Sequence, residues 1–176
     1  MKPKAVLFVA QDVQDEEYIY PYYRLKEDFD LTTVLSIHKN NLNPKGKYGI
    51  PIKYDTTTDS NQWYDSSQMP ELIYIPGGWA PEIMRMDEKI LDFIREAVKH
   101  DTVIAAICHG PQVLISADVI KDRIVTGYIG IKDDIINAGA TYKDLPIVNS
   151  GNIFTSPHYR YQPEFMKEIS KNRVKD

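Results

Sequence analysis

One cysteine stands between a buried-strand pattern and the start of a helical pattern. The apolar run Val103–Ile107 leads directly into Cys108-His109-Gly110-Pro111. Small residues lie two positions before and two positions after the cysteine, as the tight turn of a nucleophile elbow requires. Pro111 suits the first turn of the following helix. Backbone N–H groups at such a turn stabilise a thiolate and an oxyanion, so we expect a lowered pKa for Cys108 and attack of its sulfur on carbonyl carbon.

Both residues of this turn have a simpler interpretation. A free cysteine is often a small buried hydrophobic side chain, but the elbow pattern favours a reactive Cys108. His109 is a candidate base or substrate-orienting group. Neighbouring side chains at a helix start often point apart, however, and a packed or hydrogen-bonded histidine is the alternative.

The rest of the chain predicts the scaffold for this turn. Apolar runs typical of strands buried in a parallel sheet occur at residues 5–10, 31–37, 71–75, 103–107 and 124–128. Helical patterns occur at residues 16–27, with Pro21 expected to bend or delay the helix, and at 87–99, 110–116, 132–137 and 161–171. Residues 48–58 predict a small hairpin or an edge strand, and residues 147–154 a hairpin. Alternating strands and helices predict a three-layer α/β/α sandwich with a mostly parallel central sheet.

Ligands of such folds bind beyond the carboxyl ends of the strands. Two turns fall there in the predicted sheet. One is Pro76-Gly77-Gly78 after the third apolar run, and the other is the turn at Cys108. We therefore expect the two turns to form one site.

Composition excludes several classes of function. The chain has 176 residues, 43% hydrophobic and 26% charged, with a net charge of -4. This predicts one globular domain over residues 1–176. The acidic balance without a dense basic stretch predicts no nucleic-acid partner and no membrane partner, and no apolar run approaches the roughly 20 residues of a membrane span. A single cysteine excludes an internal disulfide, and we expect a cytoplasmic protein.

The sequence contains no recognisable metal-binding or cofactor motif. The four histidines have no metal-ligand spacing, and one cysteine cannot build a thiolate zinc site; the histidines are His38, His100, His109 and His158. Neither a Walker loop nor a dinucleotide-binding glycine motif is present. We therefore expect no metal and no cofactor.

Residues 105–117 resemble the nucleophile segment of the PfpI family of intracellular proteases. That family belongs to the superfamily of the Parkinson-disease deglycase protein and the class I glutamine amidotransferases. Further segments match the family in the same order along the chain, at residues 17–26, 46–49, 75–82 and 130–139. The resemblance covers nearly the whole chain and implies a single PfpI-like domain with a flavodoxin-like core.

The resemblance also implies roles for acidic residues. Glu17 matches the family glutamate that hydrogen-bonds the cysteine sulfur, with a carboxyl held protonated. Composition alone does not choose among Asp15, Glu16 and Glu17, any of which suits a solvated helix face. Glu82 matches the acid that reaches His109 from a neighbouring subunit, which requires a homo-oligomer such as a dimer, trimer or hexamer. A first-turn helix acid is the alternative for Glu82.

Three further positions match the family pocket. Gly77 and Gly78 match the oxyanion loop, with a plain turn as the alternative, and Tyr128 matches a tyrosine near the pocket, with a core aromatic as the alternative. Two positions depart from the family. Trp79 and Pro157 stand where arginine is frequent, which removes cations and strengthens an apolar or aromatic wall.

Three functions are consistent with these residues. The first is a cofactor-free cysteine enzyme of PfpI type, acting as a glyoxalase or deglycase on small reactive carbonyls such as methylglyoxal under stress. The second is an intracellular cysteine peptidase with an intersubunit Cys–His–Glu triad. The third is a redox sensor or holdase without turnover, in which Cys108 oxidises. We favour the first over the second.

Overall fold

The computed structural model describes residues 2–37, 41–60, 63–64 and 68–171. Its strands are β1 Lys4–Val9, β2 Asp30–Leu35, β3 Thr56–Thr57, β4 Leu72–Ile75, β5 Val103–Ile107, β6 Ile124–Val125, β7 Thr141–Tyr142, β8 Val148–Ser150 and β9 Ile153–Ser156. The main sheet has the order β3-β2-β1-β4-β5-β9-β8, and β6 pairs with β7 outside it. All pairs are parallel except β8 with β9.

Helices cover both faces of this sheet. They are α1 Asp15–Asp28, α2 Ala80–Met84, α3 Glu88–Lys99, α4 Pro111–Ser116, α5 Lys132–Asn137 and α6 Gln162–Lys171. Helix α1 packs with α6, whereas α4 packs with α2, α3 and α5. The predicted three-layer α/β/α sandwich is therefore confirmed. No helix in the described parts of the chain is both long and apolar enough to cross a bilayer.

The strand order places the site. From β1 the chain proceeds to β2 and β3 on one side of the sheet, and then returns to β4 and β5 on the other side. The carboxyl ends of β1, β4 and β5 consequently lie beside a crevice, at the point where the strand order changes from one side of β1 to the other. Strands β4 and β5 are completely buried, which explains their uninterrupted apolar sequences.

The predicted strand at residues 124–128 is shorter in the structure. Only β6 pairs as a strand, because the next backbone groups bond elsewhere. The N–H of Thr126 donates to Oγ1 of Thr155 at 3.0 Å, and the N–H of Tyr128 donates to the carbonyl of Cys108 at 2.8 Å. Residues 126–128 therefore do not continue the strand, and the N–H of Tyr128 supports the cysteine turn instead.

Other elements also differ from expectation. Within residues 48–58, only β3 forms, as a parallel edge strand beside β2. Helix α1 continues through Pro21, and the short helix α2 and the strand β7 were not predicted. The predicted hairpin is present as β8 and β9, with its turn at Gly151 in the left-handed region (φ 68°).

A buried carboxylate fixes the loop that follows β2. Asp15 is buried in the first turn of α1, and its two oxygens accept the N–H groups of Tyr48 at 2.9 Å and Ile50 at 3.0 Å. Just before them in the chain, the N–H of Lys47 donates to the carbonyl of Val13 at 3.0 Å. These bonds place the loop against the start of α1, beside the crevice.

Replacing Asp15 by alanine should lower the free energy of unfolding by about 2–4 kcal/mol, because two backbone N–H groups lose a charged acceptor. Urea denaturation of Asp15→Ala measures this loss. Glu16→Ala removes an exposed carboxylate from the same helical turn and should change stability by less than about 0.5 kcal/mol. Equal losses in both variants would contradict the anchoring role.

Candidate active site

The cysteine turn has the strained geometry of a nucleophile elbow. Cys108 follows β5 directly and has a positive φ of 60°, which a side chain with a Cβ rarely adopts. Its N–H donates to the carbonyl of Ser156 at 2.9 Å, and its carbonyl accepts from Tyr128. At Gly110, an added Cβ would lie 2.6 Å from the carbonyl oxygen of Ile75, so the turn requires glycine there.

Several groups surround the Cys108 sulfur. The backbone N–H groups of Gly78 and His109 bond to it. The Nδ1 atom of His109 lies 3.4 Å from Sγ, so the neighbouring side chains meet instead of pointing apart. The Glu17 carboxyl is also a hydrogen-bond partner of the thiol. The structure therefore brings three predicted catalytic residues together around one sulfur atom.

Glu17 lies on α1 and is completely buried. The N–H of Gly77 donates to its Oε2 at 2.8 Å, while Oε1 accepts no hydrogen bond from the described residues. Burial raises the pKa of Glu17 to about 7. A Cβ at position 77 would lie 2.5 Å from Oε2 and 2.6 Å from Cβ of Cys108. Glycine thus allows the backbone at position 77, the carboxyl and the cysteine to meet.

The expected lowering of the Cys108 pKa is not what this geometry produces. Burial, followed by the charge of Glu17, raises the pKa of the Cys108 thiol to about 12, and the N–H groups of Gly78 and His109 act in the opposite direction. Helix α4 begins only at Pro111 and has six residues, so its dipole is short and distant. The sequence pattern revealed the turn but not the burial. The charge of an ionised Glu17 thus disfavours the thiolate, and the proton stays on the sulfur when the carboxyl ionises near pH 7.

His109 has a lowered pKa. Burial is the main cause, and the charge of Lys47 adds to it, whereas the charge of Glu82 acts in the opposite direction. The imidazole is therefore neutral at pH 7 and able to accept a proton. Its ring lies against Tyr128, with centroids 4.6 Å apart. Glu82 is exposed in the first turn of α2, and no hydrogen bond joins it to His109 among the bonds of the described residues.

These groups face a cavity of about 300 Å³. Aromatic rings form much of its wall, and its lining comprises Gln14, Glu17, Lys47, Gly78, Trp79, Cys108, His109, Tyr128, His158 and Tyr159. Two larger hollows, of about 720 and 800 Å³, lie at the opposite end of the sheet near Lys4 and do not include the cysteine. The reactive side chains therefore identify the candidate site, whereas the cavity volumes do not.

Sequence reasoning missed several lining residues. Lys47 belongs to the matched segment 46–49, which was the available signal for it, but its position at the cavity depends on the loop anchored by Asp15. Its Nζ lies 5.2 Å from the centroid of the Trp79 ring. Lys47 thus supplies a cation at the cavity, although Trp79 stands where arginine is frequent in the family. His158 and Tyr159 follow β9 and carried no signal of their own.

Within the described ranges, no three His, Cys, Asp or Glu residues are grouped so as to hold a metal ion. His38 lies outside the described residues.

The sequence matches a known protein family along nearly its whole length. The profile described as "DJ-1/PfpI family" matches residues 3–172. The chain belongs to the DJ-1/PfpI family. It is 40% identical over 168 residues to "Deglycase PfpI" of Pyrococcus furiosus, covering 93% of this chain and 98% of that protein. It is 36% identical over 156 residues to "Putative cysteine protease YraA" of Bacillus subtilis, covering 89% of each.

Solved structures show the same DJ-1/PfpI fold. A two-domain protein of Anabaena variabilis, with DJ-1/ThiJ/PfpI-like and ferritin-like domains, superposes with a TM-score of 0.88 at 35% identity. The match covers 96% of this chain and 49% of that one. DJ-1beta of Drosophila melanogaster gives a TM-score of 0.87 at 23% identity, covering all of this chain and 92% of the other. The predicted flavodoxin-like fold is confirmed.

The buried carboxyl should make stability depend on pH. Because the folded-state pKa of Glu17 is about 7 and its ordinary value is 4.5, the unfolded chain releases this proton first as pH rises. Ionisation of Glu17 therefore lowers the free energy of unfolding as pH rises. The decrease begins near pH 4.5, is complete above pH 7 and amounts to about 3 kcal/mol. Urea denaturation of Glu17→Gln between pH 4 and 8 should show a flatter profile than the wild type.

Glu164→Gln is the control, since it alters an exposed glutamate of α6 that does not act on Glu17, and it should keep the wild-type slope. Parallel profiles for the wild type and Glu17→Gln would contradict the raised pKa of Glu17.

Proposed function

We propose that this DJ-1/PfpI protein is a cofactor-free cysteine enzyme that converts small reactive carbonyls, with methylglyoxal as the representative substrate, in the manner of a glyoxalase or deglycase. One observation carries the proposal: a buried carboxyl with a pKa of about 7 hydrogen-bonds the thiol of Cys108. A group that titrates near neutrality can both accept and return a proton during turnover.

The first step is addition to the aldehyde. The Cys108 sulfur forms a bond to the aldehyde carbon while the π bond of the carbonyl breaks. The thiol proton passes to the Glu17 carboxylate and from there to the former carbonyl oxygen, which gives a neutral hemithioacetal. The N–H groups of Gly78 and His109 face this position and stabilise the negative charge as it moves from sulfur to oxygen.

The second step moves a proton between carbons. The neutral imidazole of His109 removes the hydrogen on the sulfur-bound carbon, and the resulting enediol takes a proton on the adjacent carbon, which yields a thioester. Water then cleaves the carbon–sulfur bond and restores the thiol. Methylglyoxal plus water gives lactic acid in total, so no oxidant, reductant or cofactor is required.

The size of the cavity and the names of relatives support this choice. A volume of about 300 Å³ accommodates a small carbonyl compound more readily than an extended peptide. Relatives 36–40% identical to the chain are named deglycases. We place this activity in the cytoplasm and in a homo-oligomer.

Cys108→Ser should abolish methylglyoxal consumption. Glu17→Gln should lower kcat by about 10²- to 10⁴-fold, the usual contribution of a proton-transferring group. Both rates are measured from the loss of methylglyoxal and the formation of lactate. Glu164→Gln, which alters an exposed glutamate that does not line the cavity, should retain the wild-type rate. Wild-type turnover by Cys108→Ser would overturn the proposal.

A cysteine peptidase is the second candidate, favoured by the 3.4 Å contact between Cys108 and His109. For this activity, Glu82 of one subunit would orient His109 of its neighbour. Glu82 is exposed on α2 and is therefore accessible to another subunit.

Mixed oligomers test this arrangement. If Glu82 acts across subunits, Cys108→Ser and Glu82→Gln are each inactive alone, but together they regain part of the peptidase activity. The reason is that, in the mixture, Glu82 of a Cys108→Ser subunit can orient His109 beside the intact Cys108 of a Glu82→Gln subunit. Cleavage of a fluorogenic peptide after subunit exchange measures the recovery. Absence of recovery, or activity that declines on repurification, would reject the intersubunit triad.

A further inference from the structure

The cavity holds one ammonium group close to the nucleophile. Lys47 and Trp79 both line the cavity of Cys108, and the Lys47 ammonium lies over the Trp79 ring, 5.2 Å from its centroid. A cation above an indole face is attracted by the ring electrons. The pair thus forms one wall of the site, with the positive charge held near the ring instead of freely extended into solvent.

Among the described residues, no acidic side chain forms an ion pair with Lys47. The charge of Lys47 influences both Glu17 and His109, which line the same cavity. Glu16 and Glu82 also influence these two groups, but neither of them lines the cavity. The Glu16 carboxylate accepts a hydrogen bond from Gln14 at 2.6 Å instead.

The loop fixes the position of this lysine through its backbone. The Lys47 N–H donates to the carbonyl of Val13, and the Asp15 carboxylate accepts the N–H groups of Tyr48 and Ile50. The backbone around Lys47 is therefore fixed by bonds that do not involve its side chain. The Lys47 side chain itself is exposed. Its replacement should therefore remove the charge and leave the fold intact.

We propose that Lys47, held against Trp79, binds the carboxylate of a substrate whose aldehyde reacts with Cys108. This inference rests on the proposed function and specifies its substrate class: 2-oxoaldehydes that carry a carboxylate. A representative member is 4,5-dioxopentanoate, which the reaction above would convert with one water to 2-hydroxyglutarate. Lysine acts here as a compact point charge, so the carboxylate is selected by charge more than by shape.

Two alkylating reagents test the charge preference without any turnover. Iodoacetate is an anion and iodoacetamide is neutral, and they are nearly the same size. The chain has one cysteine, so intact-mass spectrometry reports Cys108 alone. The ratio of the two alkylation rates cancels any change in thiol ionisation, because both reagents use the same sulfur.

Lys47→Met should lower the iodoacetate-to-iodoacetamide ratio by about five- to tenfold, as expected for losing one charge several ångströms from the reagent. Lys47→Arg should retain most of the preference. Lys45→Met is the matched control, since Lys45 lies exposed on the same loop but does not line the cavity, and it should keep the wild-type ratio. An unchanged ratio in Lys47→Met, or an equal fall in Lys45→Met, would overturn the inference.

A kinetic comparison completes the test. Lys47→Met should raise KM for 4,5-dioxopentanoate and leave KM for methylglyoxal nearly unchanged. If methylglyoxal is consumed but the alkylation ratio does not depend on Lys47, the anion site is rejected and the proposed function stands. If neither aldehyde is consumed but the ratio falls in Lys47→Met, the anion site stands and the proposed function is rejected.

Discussion

A carboxyl without access to water organises this site. Glu17 is placed by α1 beneath the turn after β4, and its oxygens meet the N–H of Gly77 and the thiol of Cys108. An ionised carboxylate would be costly in this position, so the surrounding backbone must either supply donors or leave the group protonated. The structure does both, with one N–H on Oε2 and a pKa near neutrality. The close approach of the two turns and the hydrogen bond between the carboxyl and the thiol both depend on this arrangement.

Strand order and backbone bonding produce that arrangement together. The strand order changes side between β3 and β4, so that three parallel strands, β1, β4 and β5, end at one crevice. The turn at Cys108 is then held by Ser156 on one side and by Tyr128 on the other. The second of these bonds shortens the predicted strand at 124–128 and places an aromatic ring against His109. Because β6 ends at Val125, Tyr128 can bond to the cysteine turn and form part of the pocket wall.

Sequence patterns predicted the parts of the molecule that repeat a simple period. The apolar runs of β1, β4 and β5 and the elbow at Cys108 are visible without a structure, since burial on both faces and a tight turn restrict residue types strongly. Two features were beyond such patterns. The burial that raises the thiol pKa depends on how α1 covers the turn, and the position of Lys47 depends on a loop held by the carboxylate of a distant helix, Asp15. Both arise from contacts between segments far apart in the chain.

The hydrogen bond between the Cys108 thiol and the Glu17 carboxyl has a consequence for timing. While the sulfur is free, the thiol proton stabilises the ionised carboxylate and so lowers the pKa of Glu17. Once the sulfur is bonded to carbon it has no proton to donate, and this stabilisation is lost. In the proposed reaction the carboxyl therefore becomes a weaker acid while the substrate is attached. Covalent attachment of the substrate thus favours the protonated carboxyl and keeps negative charge out of the buried site until the sulfur is released.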